Sequence, residues 1–446
     1  MRKRILSLIL ALAMMFSLAA TVSVTASAET SGDFEYSLLA DGTFEVTGYL
    51  GSAISLEIPS KHNLIPVTSI GFGAFSERSL LENVTIPDSI TNIGFCAFLN
   101  CTSLESITIP NSVTKIDGNA FSKCTGLTSI TIPDSVQSIG GFAFDKCTSL
   151  IDAKIGKGVS SMGERIFSGC TSLANIEVSA NNQVYSSIDG VVFNKDKTTL
   201  LQYPIGRTDK TYNIPDGVQS IGEWAFENCT ALTEVTMGDS VQSIEKWAFE
   251  NCKPLKSITF GKNVSSIGNL AFYNCTSLES IELPYGIETI SDSTFYDCTA
   301  LTSVTIPSSV NEIGWCAFGY LNEGQEINPS FSIICSENSA AEKYAIENGM
   351  YYRTTAFAYG DANNDGTVNM LDVLLIRKYI AKQPVTIDLT VSDVNDDGII
   401  NMLDVLLIRK YIAKQPVVLG PKPKPPVVET PDVIETPDVI ETPDVM

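Results

Sequence analysis

The 446-residue sequence predicts a long solenoid of 23-residue repeats, in which short parallel strands are joined by turns or short helices, followed by a small all-α module. The first observation is a phenylalanine that recurs every 23 residues from Phe75 to Phe167 and again from Phe226 to Phe318. The second is a unit after residue 360 that occurs twice, at an offset of 32 residues. The third is a Pro-rich, acidic final stretch, whose composition does not allow a packed core.

The first 28 residues have the pattern of a secretory signal peptide. Basic residues 2–4 form the charged start, an apolar run covers 5–20, and Ala26-Ser27-Ala28 is a small-residue cleavage site. No later apolar run is long enough to span a bilayer. We therefore expect a secreted, extracellular protein. Its net charge of -22 argues against nucleic acid and anionic membranes as partners.

The unit from Cys101 to Lys123 shows why the repeats have to stack. Six of its side chains are predicted to point inward: Leu104, Ile107, Ile109, Val113, Ile116 and Phe121. Burying six such side chains contributes about 12 kcal/mol, whereas ordering one repeat costs more than ~23 kcal/mol in backbone entropy. Neighbouring repeats must therefore share apolar faces and hydrogen bonds. Alternation over 104–109 predicts a strand ended by Pro110, and Ala120-Phe121 is expected on a turn or short helix.

Both ends of the solenoid, taken as residues 29–355, have patterns typical of caps. The segment 34–49 alternates around Asp41-Gly42, which predicts a hairpin. A helix is predicted over 339–347, capped by Asn338 or Ser339 and ended at Gly349. An insertion at about 179–212 contains two hairpin signals and is expected to project from the stack.

Cysteines follow the same period as the phenylalanines. Of the 11 cysteines, eight fall into two series with a spacing of 23 residues: Cys101, Cys124, Cys147 and Cys170, then Cys229, Cys252, Cys275 and Cys298. A cysteine that recurs once per repeat is more simply a small buried residue than half of a disulfide. We expect free, buried thiols.

Two features of the solenoid suggest a recognition surface. The outward position of the strand is occupied by Thr85, Thr108, Thr131, Lys154, Glu177, Thr236, Thr259, Glu282 and Thr305. This column could be a solvated sheet face or a surface that binds protein or glycan. Trp224, Trp247 and Trp315 all precede the repeat phenylalanine, where they could stack on sugar rings or pack locally.

Catalysis finds little support in the sequence. The single histidine, His62, is expected on a surface loop, which excludes Ser-His and Cys-His mechanisms. Carboxylates are numerous, so a glycosidase pair is not excluded by count. No unusual pair of carboxylates interrupts the 23-residue period, and we predict a non-enzymatic protein.

The duplicated unit carries two loops with the ligand spacing of an EF-hand. Calcium takes six to eight oxygen ligands, and such a 12-residue loop supplies them from positions 1, 3, 5, 7, 9 and 12. The first set is Asp361, Asn363, Asp365, Thr367 (carbonyl), Asn369 and Asp372, and the second is Asp393, Asn395, Asp397, Ile399 (carbonyl), Asn401 and Asp404. Gly366 and Gly398 occupy the sharp turn at position 6. The pattern predicts two Ca²⁺ ions.

Each loop is followed by a predicted helix, over 369–382 and 401–414, that stops before Pro384 or Pro416. Val373, Ile376 and Ile380 share one face and are expected to contact the other helix. A domain of about 60 residues has too little interior for the remaining apolar residues. We therefore expect an exposed apolar patch with a cationic edge, which is typical of a protein-binding surface.

The duplicated stretch resembles a type I dockerin, the module that attaches cellulosome components to cohesin domains. The resemblance covers 356–418 and includes Asp at loop position 12 and the Tyr-Ile pairs of both helices. It implies calcium-dependent binding to the cohesin of a scaffold protein. With the exposed helix positions added, the expected contacts are Met370, Leu371, Leu374, Leu375, Arg377, Lys378 and Lys382, and Met402, Leu403, Leu406, Leu407, Arg409, Lys410 and Lys414. Because the copies are nearly identical, either helix could dock after a half-turn of the module.

The repeats resemble the BspA-like bacterial leucine-rich repeat family, on the recurring Leu-x-x-Ile-x-Ile-Pro, Ile-Gly and Ala-Phe motifs. Together the two resemblances imply a secreted, non-catalytic cellulosome-associated protein, whose repeats bind a protein or a plant-cell-wall glycan. Two alternatives stay open, a glycoside hydrolase-type cellulosomal component and a cell-surface adhesin. The segment 419–446 is rich in Pro, repeats Glu-Thr-Pro-Asp-Val-Ile from Glu429 onward, and is expected to be an extended tail.

Overall fold

The computed structural model of the protein describes residues 29–284, 286–321, 326–355, 359–363, 367–395, 397–417 and 419. The predicted signal peptide and nearly all of the predicted tail lie outside the described residues. The chain divides into two units between Thr355 and residue 356. We call residues 29–355 the solenoid and residues 359–419 the helical module, and describe each by itself.

Each turn of the solenoid contributes one strand to a first set of parallel sheets. Strands in neighbouring repeats pair in register at a step of 23 residues, as Ser106 does with Asn83. Before the insertion these strands are Ser55–Glu57, Asn83–Thr85, Ser106–Thr108, Ser129–Ile132, Asp152–Ile155 and Asn175–Val178. After it they are Thr211–Asn213, Glu234–Thr236, Ser257–Thr259, Ser280–Ile281, Ser303–Thr305, Ser332–Ser336 and Tyr351–Thr355. The strand predicted over 104–109 is present as Ser106–Thr108, and the equivalent position of the other regular repeats also forms a strand.

A second strand in each repeat, at the Ser-Ile-Gly motif, was not predicted. Ile65–Ile70, Asn92–Ile93, Lys115–Ile116, Ser138–Ile139 and Ser161–Met162 form one parallel ladder. Thr199–Gln202, Ser220–Ile221, Ser243–Ile244, Ser266–Ile267, Thr289–Ile290 and Glu312–Ile313 form another. Most of these strands have two residues, which is too short for an alternating pattern to show.

The repeat phenylalanines lie on turns that close each coil. The rings of Phe98 and Phe121 stack with centroids 5.2 Å apart, and the backbone N–H of Phe98 donates to the carbonyl of Ala120 at 2.7 Å. All six inward side chains predicted for the unit 101–123 are buried. The aromatic stack and the hydrogen bonds between turns are the shared interactions that a single repeat lacks.

The cysteines occupy the inside of the same turns. The thiol of Cys124 donates to the carbonyl of Phe98 at 3.1 Å, and the same bond to a residue 26 earlier recurs in other repeats. Ten cysteines are buried and Cys96 is half-buried, all as free thiols. Burial raises the pKa of the Cys124 thiol, which keeps it protonated and able to donate.

Both caps have the predicted elements. At the start, Glu29–Ser31, Phe34–Leu38 and Phe44–Tyr49 form an antiparallel sheet, and the last of them pairs in parallel with Ile65–Ile70. Lys61–His62 also pairs with Ile65–Ile70, and Tyr320–Leu321 with Glu326–Ile327. At the end, helix α1 (Ala340–Glu347) begins after Ser339, whose side chain accepts from the backbone of Glu342. Three of its side chains are buried, so α1 covers the final turns.

The insertion does not project, contrary to expectation. Its strands Tyr185–Ile188 and Val191–Asn194 form a hairpin, and Thr199–Gln202 pairs in parallel with Ser220–Ile221. Val191, Phe193 and Leu200 are fully buried in the core of the second half. The hairpin signals were correct, but the apolar content of the strands places the insertion within the stack as an irregular turn.

The helical module contains helices α2 (Met370–Ile380), α3 (Leu389–Ser392) and α4 (Met402–Ile412). Its core includes Val373 and Ile376 of α2 with Val405 and Ile408 of α4. Both long helices end two residues earlier than predicted, because Lys382 and Lys414 have a φ of 54°, in the left-handed region. Leu419, expected in the tail, packs against this core. Of the helices in the described ranges, none has the length and hydropathy needed to cross a bilayer.

Candidate functional site

The loop from Asp393 to Asp404 is folded around its first carboxylate. Asp393 accepts hydrogen bonds from the backbone N–H groups of Asp397, at 3.3 Å, and Gly398, at 2.8 Å. Gly398 has a φ of 81°, which lets the chain reverse at the sixth position of the loop. The glycine predicted for the sharp turn therefore allows two amides to face the same side chain.

Asp404 joins the loop to the helix that follows it. It is fully buried, and its carboxylate accepts from the backbone N–H groups of Val394, at 3.0 Å, and Asn401, at 2.8 Å. The second bond is half of a capping box, since the side chain of Asn401 caps the start of α4. One residue thus closes the loop at position 12 and fixes the first turn of the helix.

Asn395 supplies the observation that tests whether a cation fits here. Its Nδ2 donates to Asp397 at 2.7 Å, while its Oδ1 is buried and has no hydrogen-bond partner among the described residues. A buried acceptor without a partner costs about 1–3 kcal/mol. Calcium takes oxygen ligands, and three carboxylates, of Asp393, Asp397 and Asp404, belong to the same loop. The donor set fits Ca²⁺.

The loop is not a cluster of acidic side chains alone. Among the described residues, no group of three or more His, Cys, Asp or Glu side chains is arranged to hold a metal. The predicted set also includes amide oxygens and the carbonyl of Ile399, which accepts from Asn401 Nδ2 at 3.0 Å. Such hard, neutral oxygens suit calcium rather than zinc, which prefers nitrogen and sulfur.

The first loop repeats part of this arrangement. Asp372 is buried and accepts from the backbone N–H groups of Asn363, at 3.3 Å, and Asn369, at 2.8 Å. Asn369 caps α2 in the same capping box. Asp361 is buried and Thr367 is exposed, whereas Asp365 and Gly366 lie outside the described residues. The described part of this loop is thus closed by the same interactions as the second.

The two long helices present equivalent apolar side chains to solvent. Met370, Leu371 and Leu374 of α2 are 55%, 46% and 45% exposed, and Met402, Leu403 and Leu406 of α4 are 55%, 45% and 45% exposed. Leu375 and Leu407 differ from the others, because they are half-buried and pack against the core of the module. The cationic residues predicted beside them are Arg377, Lys378, Lys382, Arg409, Lys410 and Lys414, of which Lys378 is half-buried and the rest are exposed.

On the solenoid, the predicted outward strand column is exposed except for Thr236, which is half-buried. A groove of about 850 Å³ lies over this face and is lined by strand residues such as Thr108 and Thr131 and by Asn181 of the insertion. Lys154 and Glu177 lie 3.7 Å apart on the same face. The groove is open to solvent, and its lining combines polar side chains with apolar ones such as Ile109 and Ile132.

The aromatic residues before the repeat phenylalanine form two columns rather than one. Phe142, Trp224 and Trp247 stand two residues before it, and Phe72, Phe95 and Trp315 stand three before it. Trp224 and Trp247 stack with ring centroids 5.0 Å apart. Since Arg165 and Lys246 also lie over the Trp224 ring, that ring is packed locally and is a poor platform for a sugar.

His62 is not a surface residue, contrary to expectation. It is 7% exposed and stacks on Tyr36 with centroids 4.2 Å apart. Its Nε2 lies 3.0 Å from the carboxylate of Glu29. The short strand Lys61–His62 turns the imidazole into the core of the first cap, where it has a structural role.

The sequence also missed a buried ion pair in the solenoid. Arg165 donates from Nε and Nη2 to the carboxylate of Glu227, which is 5% exposed. Burial raises the pKa of the Glu227 carboxyl, and the guanidinium of Arg165 opposes this shift. The two residues are 62 positions apart, so periodicity does not indicate the pair. The only sequence signal is that both charges occur at positions flanking a repeat phenylalanine.

Comparison with known proteins identifies the repeats. The family model described as "BspA type Leucine rich repeat region" matches six copies over residues 68–198 and 209–323. The crystal structure of a leucine rich cell surface protein from Faecalibacterium prausnitzii A2-165 is 31% identical, covers 73% of this chain and 98% of its own, and superposes with a TM-score of 0.50. No curated protein matches the chain.

Two further crystal structures share the fold. The pneumococcal vaccine antigen PcpA is 20% identical, with a TM-score of 0.58, and the match covers 74% of this chain and 98% of that chain. A leucine-rich repeat protein from Eubacterium ventriosum is 22% identical, with a TM-score of 0.52, and the match covers 69% of this chain and 92% of that chain. The model described as "Dockerin type I domain" matches residues 359–413, which include both loops and both long helices. The chain therefore belongs to the BspA-type leucine-rich repeat family and carries a C-terminal type I dockerin domain.

Proposed function

We propose that the protein is secreted and docks on the cohesin domain of a scaffold protein in a calcium-dependent way, while its solenoid presents a recognition surface. The proposal divides the chain into a signal peptide (1–28), the solenoid (29–355), the dockerin (356–418) and a tail (419–446). The observation that carries the first half is the pair of exposed apolar faces on α2 and α4, each positioned by a loop with the oxygen donors for Ca²⁺.

Two Ca²⁺ ions would be held by the residues at loop positions 1, 3, 5, 7, 9 and 12 of each copy. When bound, such an ion neutralises the loop carboxylates and ties the start of the loop to the first turn of the helix. Asp372 and Asp404 are each buried between these two parts, so they support this coupling. The helices are thereby fixed in the orientation that exposes Met370 and Leu371, or Met402 and Leu403.

The exposed face has the composition of a docking surface for protein. Large apolar side chains at the start of each helix contribute contact area, and basic side chains near its end favour an acidic partner. Because α2 and α4 are identical in sequence and nearly identical in exposure, the two faces can dock equivalently. Contacts from Leu375 and Leu407 would be limited to the atoms that the core leaves exposed.

For the solenoid we propose recognition of a protein or a plant-cell-wall glycan, with no catalytic role. The groove on the strand face carries hydroxyl, amide and charged groups that suit hydrogen bonding. Leucine-rich repeat and dockerin domains are non-catalytic domain types, which supports a binding role. The related protein from F. prausnitzii is described as a cell surface protein, which supports an extracellular location. A scaffold-bound protein of this kind would serve a polysaccharide-degrading complex.

A pull-down of the full chain with a panel of cohesin domains tests the docking half, in calcium and in excess chelator. We expect at least one cohesin to be retained in calcium and released by chelation. Absence of binding to any cohesin in calcium would contradict it. A glycan and protein array probed with the full chain, together with assays for reducing-sugar release, separates recognition by the solenoid from hydrolysis.

A further inference from the structure

The regular turns of the solenoid are interrupted at one corner, next to the insertion. Leu200 pairs with Ile221, and Tyr203 stacks on Phe226 with centroids 5.1 Å apart, so Tyr203 takes the place of the repeat phenylalanine. Four residues separate Ile221 from Phe226, but only two separate Leu200 from Tyr203. The insertion turn is therefore two residues short at the corner where its neighbours are complete.

The side chains that stand two residues before each repeat phenylalanine form a column, which we call the corner column. The shortened corner leaves a gap in this column. Its members on either side are Phe142 and Arg165, then Trp224 and Trp247. The Arg165 guanidinium carbon lies 5.5 Å from the Phe142 ring centroid and 5.8 Å from that of Trp224. Arg165 therefore bridges the gap, and the ion pair with Glu227 holds it there.

A cavity of about 320 Å³ lies at this corner, lined by residues from both sides of the gap and from the insertion. Met162, Val192 and Leu201 provide an apolar lining, and Glu164, Gln202 and Trp224 provide polar and aromatic groups. Its volume is at the lower end of the range for small-molecule sites, roughly 300–1,000 Å³. An apolar cavity of only about 150 Å³ is enough to bind benzene in another protein.

We propose that this cavity binds a small neutral aromatic molecule that carries one hydroxyl group, such as a simple phenol. The apolar lining suits a flat ring. At its edge the Gln202 amide can donate or accept a single hydrogen bond, and the Glu164 carboxylate can accept one from a hydroxyl. A sugar ring is a poor fit, because several of its hydroxyls would face Met162, Val192 or Leu201, at about 1–3 kcal/mol for each one left without a partner.

The charge of the lining also selects against anions. Three carboxylates, of Glu164, Glu223 and Glu227, line the cavity together with the single guanidinium of Arg165. Arg165 is paired with Glu227, and Lys246 lies 3.2 Å from Glu223, so a carboxylate on the ligand would meet the remaining negative charge of Glu164. All residues that line this cavity belong to the solenoid.

Isothermal titration of the full chain with 4-methylphenol, 4-methylbenzoate and methyl β-D-glucopyranoside tests the proposal. We expect saturable binding of one 4-methylphenol per chain, and weaker binding of the other two by more than about tenfold. Saturable binding that favours the benzoate or the glucoside, or no saturable binding of 4-methylphenol, would overturn it.

The location is tested by Leu201→Phe, which fills the cavity, with Leu80→Phe as the matched control because Leu80 is 69% exposed. Only Leu201→Phe should abolish binding, with both variants retaining the circular dichroism of the parent. If Leu201→Phe does not fold, the location of the ligand is tested instead by tryptophan emission, because Trp224 is the one tryptophan that lines the cavity. Binding should change the emission of the parent and not that of Trp224→Phe; an unchanged emission in the parent, or an equal change in both, would place the ligand elsewhere.

Discussion

Arg165 and Glu227 form a two-point ion pair that connects the two halves of the solenoid. They lie on either side of the insertion, 62 residues apart, and Ser168 adds a hydrogen bond to the same carboxylate at 3.3 Å. The side chain of Glu227 is only 6% exposed and that of Arg165 is 27% exposed. The pair therefore compensates a buried charge at the point where the regular stacking of phenylalanine rings is interrupted.

Removing the cation should destabilise the solenoid far more than removing an exposed one. Arg165→Ala leaves the Glu227 carboxylate buried and unpaired, which should lower the free energy of unfolding by about 2–3 kcal/mol, given the partial exposure of Arg165. Lys154→Ala is the control, because Lys154 and Glu177 are both 61% exposed and should contribute less than about 0.5 kcal/mol. Denaturant unfolding of both variants measures the difference. Equal losses in the free energy of unfolding would show that burial does not increase the contribution of the Arg165–Glu227 pair.

The same pair should make stability depend on pH. Burial raises the pKa of Glu227 above its ordinary 4.5, with Arg165 opposing the shift. The folded state thus holds the proton more tightly than the unfolded state, so this residue's contribution to stability falls as pH rises from about 4.5 through the native pKa. Arg165→Ala removes the opposing effect and should make the decline steeper. The additional change Glu227→Gln should remove that extra decline, as measured by unfolding from pH 4 to 8, and a steep decline that survives it would assign the effect to another group.

Much of the solenoid could be predicted because one period governs its sequence. The inward side chains of residues 101–123, the first strand of each repeat and the burial of cysteines such as Cys101 follow directly from spacing. The second strand was missed because two residues show no alternation. The insertion was misplaced because hairpin signals indicate a turn but do not show that Val191 and Phe193 are needed to fill the core.

Calcium should control the helices of the dockerin. Chelation leaves the loop carboxylates unneutralised, so the helical signal at 222 nm should decrease and should return when calcium is added. Asn395→Ala removes a buried oxygen that accepts no hydrogen bond from the described residues, and it should weaken calcium binding by about tenfold. Gln415→Ala, at an exposed position beyond α4, is the control and should leave affinity unchanged. Equal calcium affinity in both variants would exclude Asn395 from the ligand set.

The candidate site was less completely predictable than the solenoid. Loop spacing indicates which oxygens can bind a cation, and the double role of Asp372 and Asp404 in the capping boxes agrees with that spacing. The helix ends were placed too late, because Pro384 and Pro416 show only that each helix must stop before them, not that Lys382 and Lys414 take a positive φ. The burial of Leu375 depends on its neighbours in the folded module and is not encoded by helical periodicity alone.

The equivalence of the two docking faces can be tested by introducing a charged side chain into each apolar face. Leu371→Glu or Leu403→Glu alone removes one of two modes and should weaken cohesin binding by only about twofold. Both together should weaken it more than about 100-fold, because no apolar face remains. Leu389→Glu is the control, since Leu389 is 52% exposed on α3, which contributes no residue to either face. Surface plasmon resonance measures all four, and a complete loss from one single variant would show that only one face docks.

The thiols of the solenoid should be almost inert in the folded protein. Only Cys96 is not fully buried, so the other ten thiols are shielded from a reagent in solution, and burial also raises the pKa of the Cys124 and Cys275 thiols. We expect one thiol to react rapidly with Ellman's reagent in the native state and all 11 to react after denaturation without reductant. Cys96→Ser should eliminate the rapid phase. Fewer than 11 reactive thiols after denaturation would demonstrate disulfides, and several rapid thiols in the native state would contradict the buried cysteine ladder.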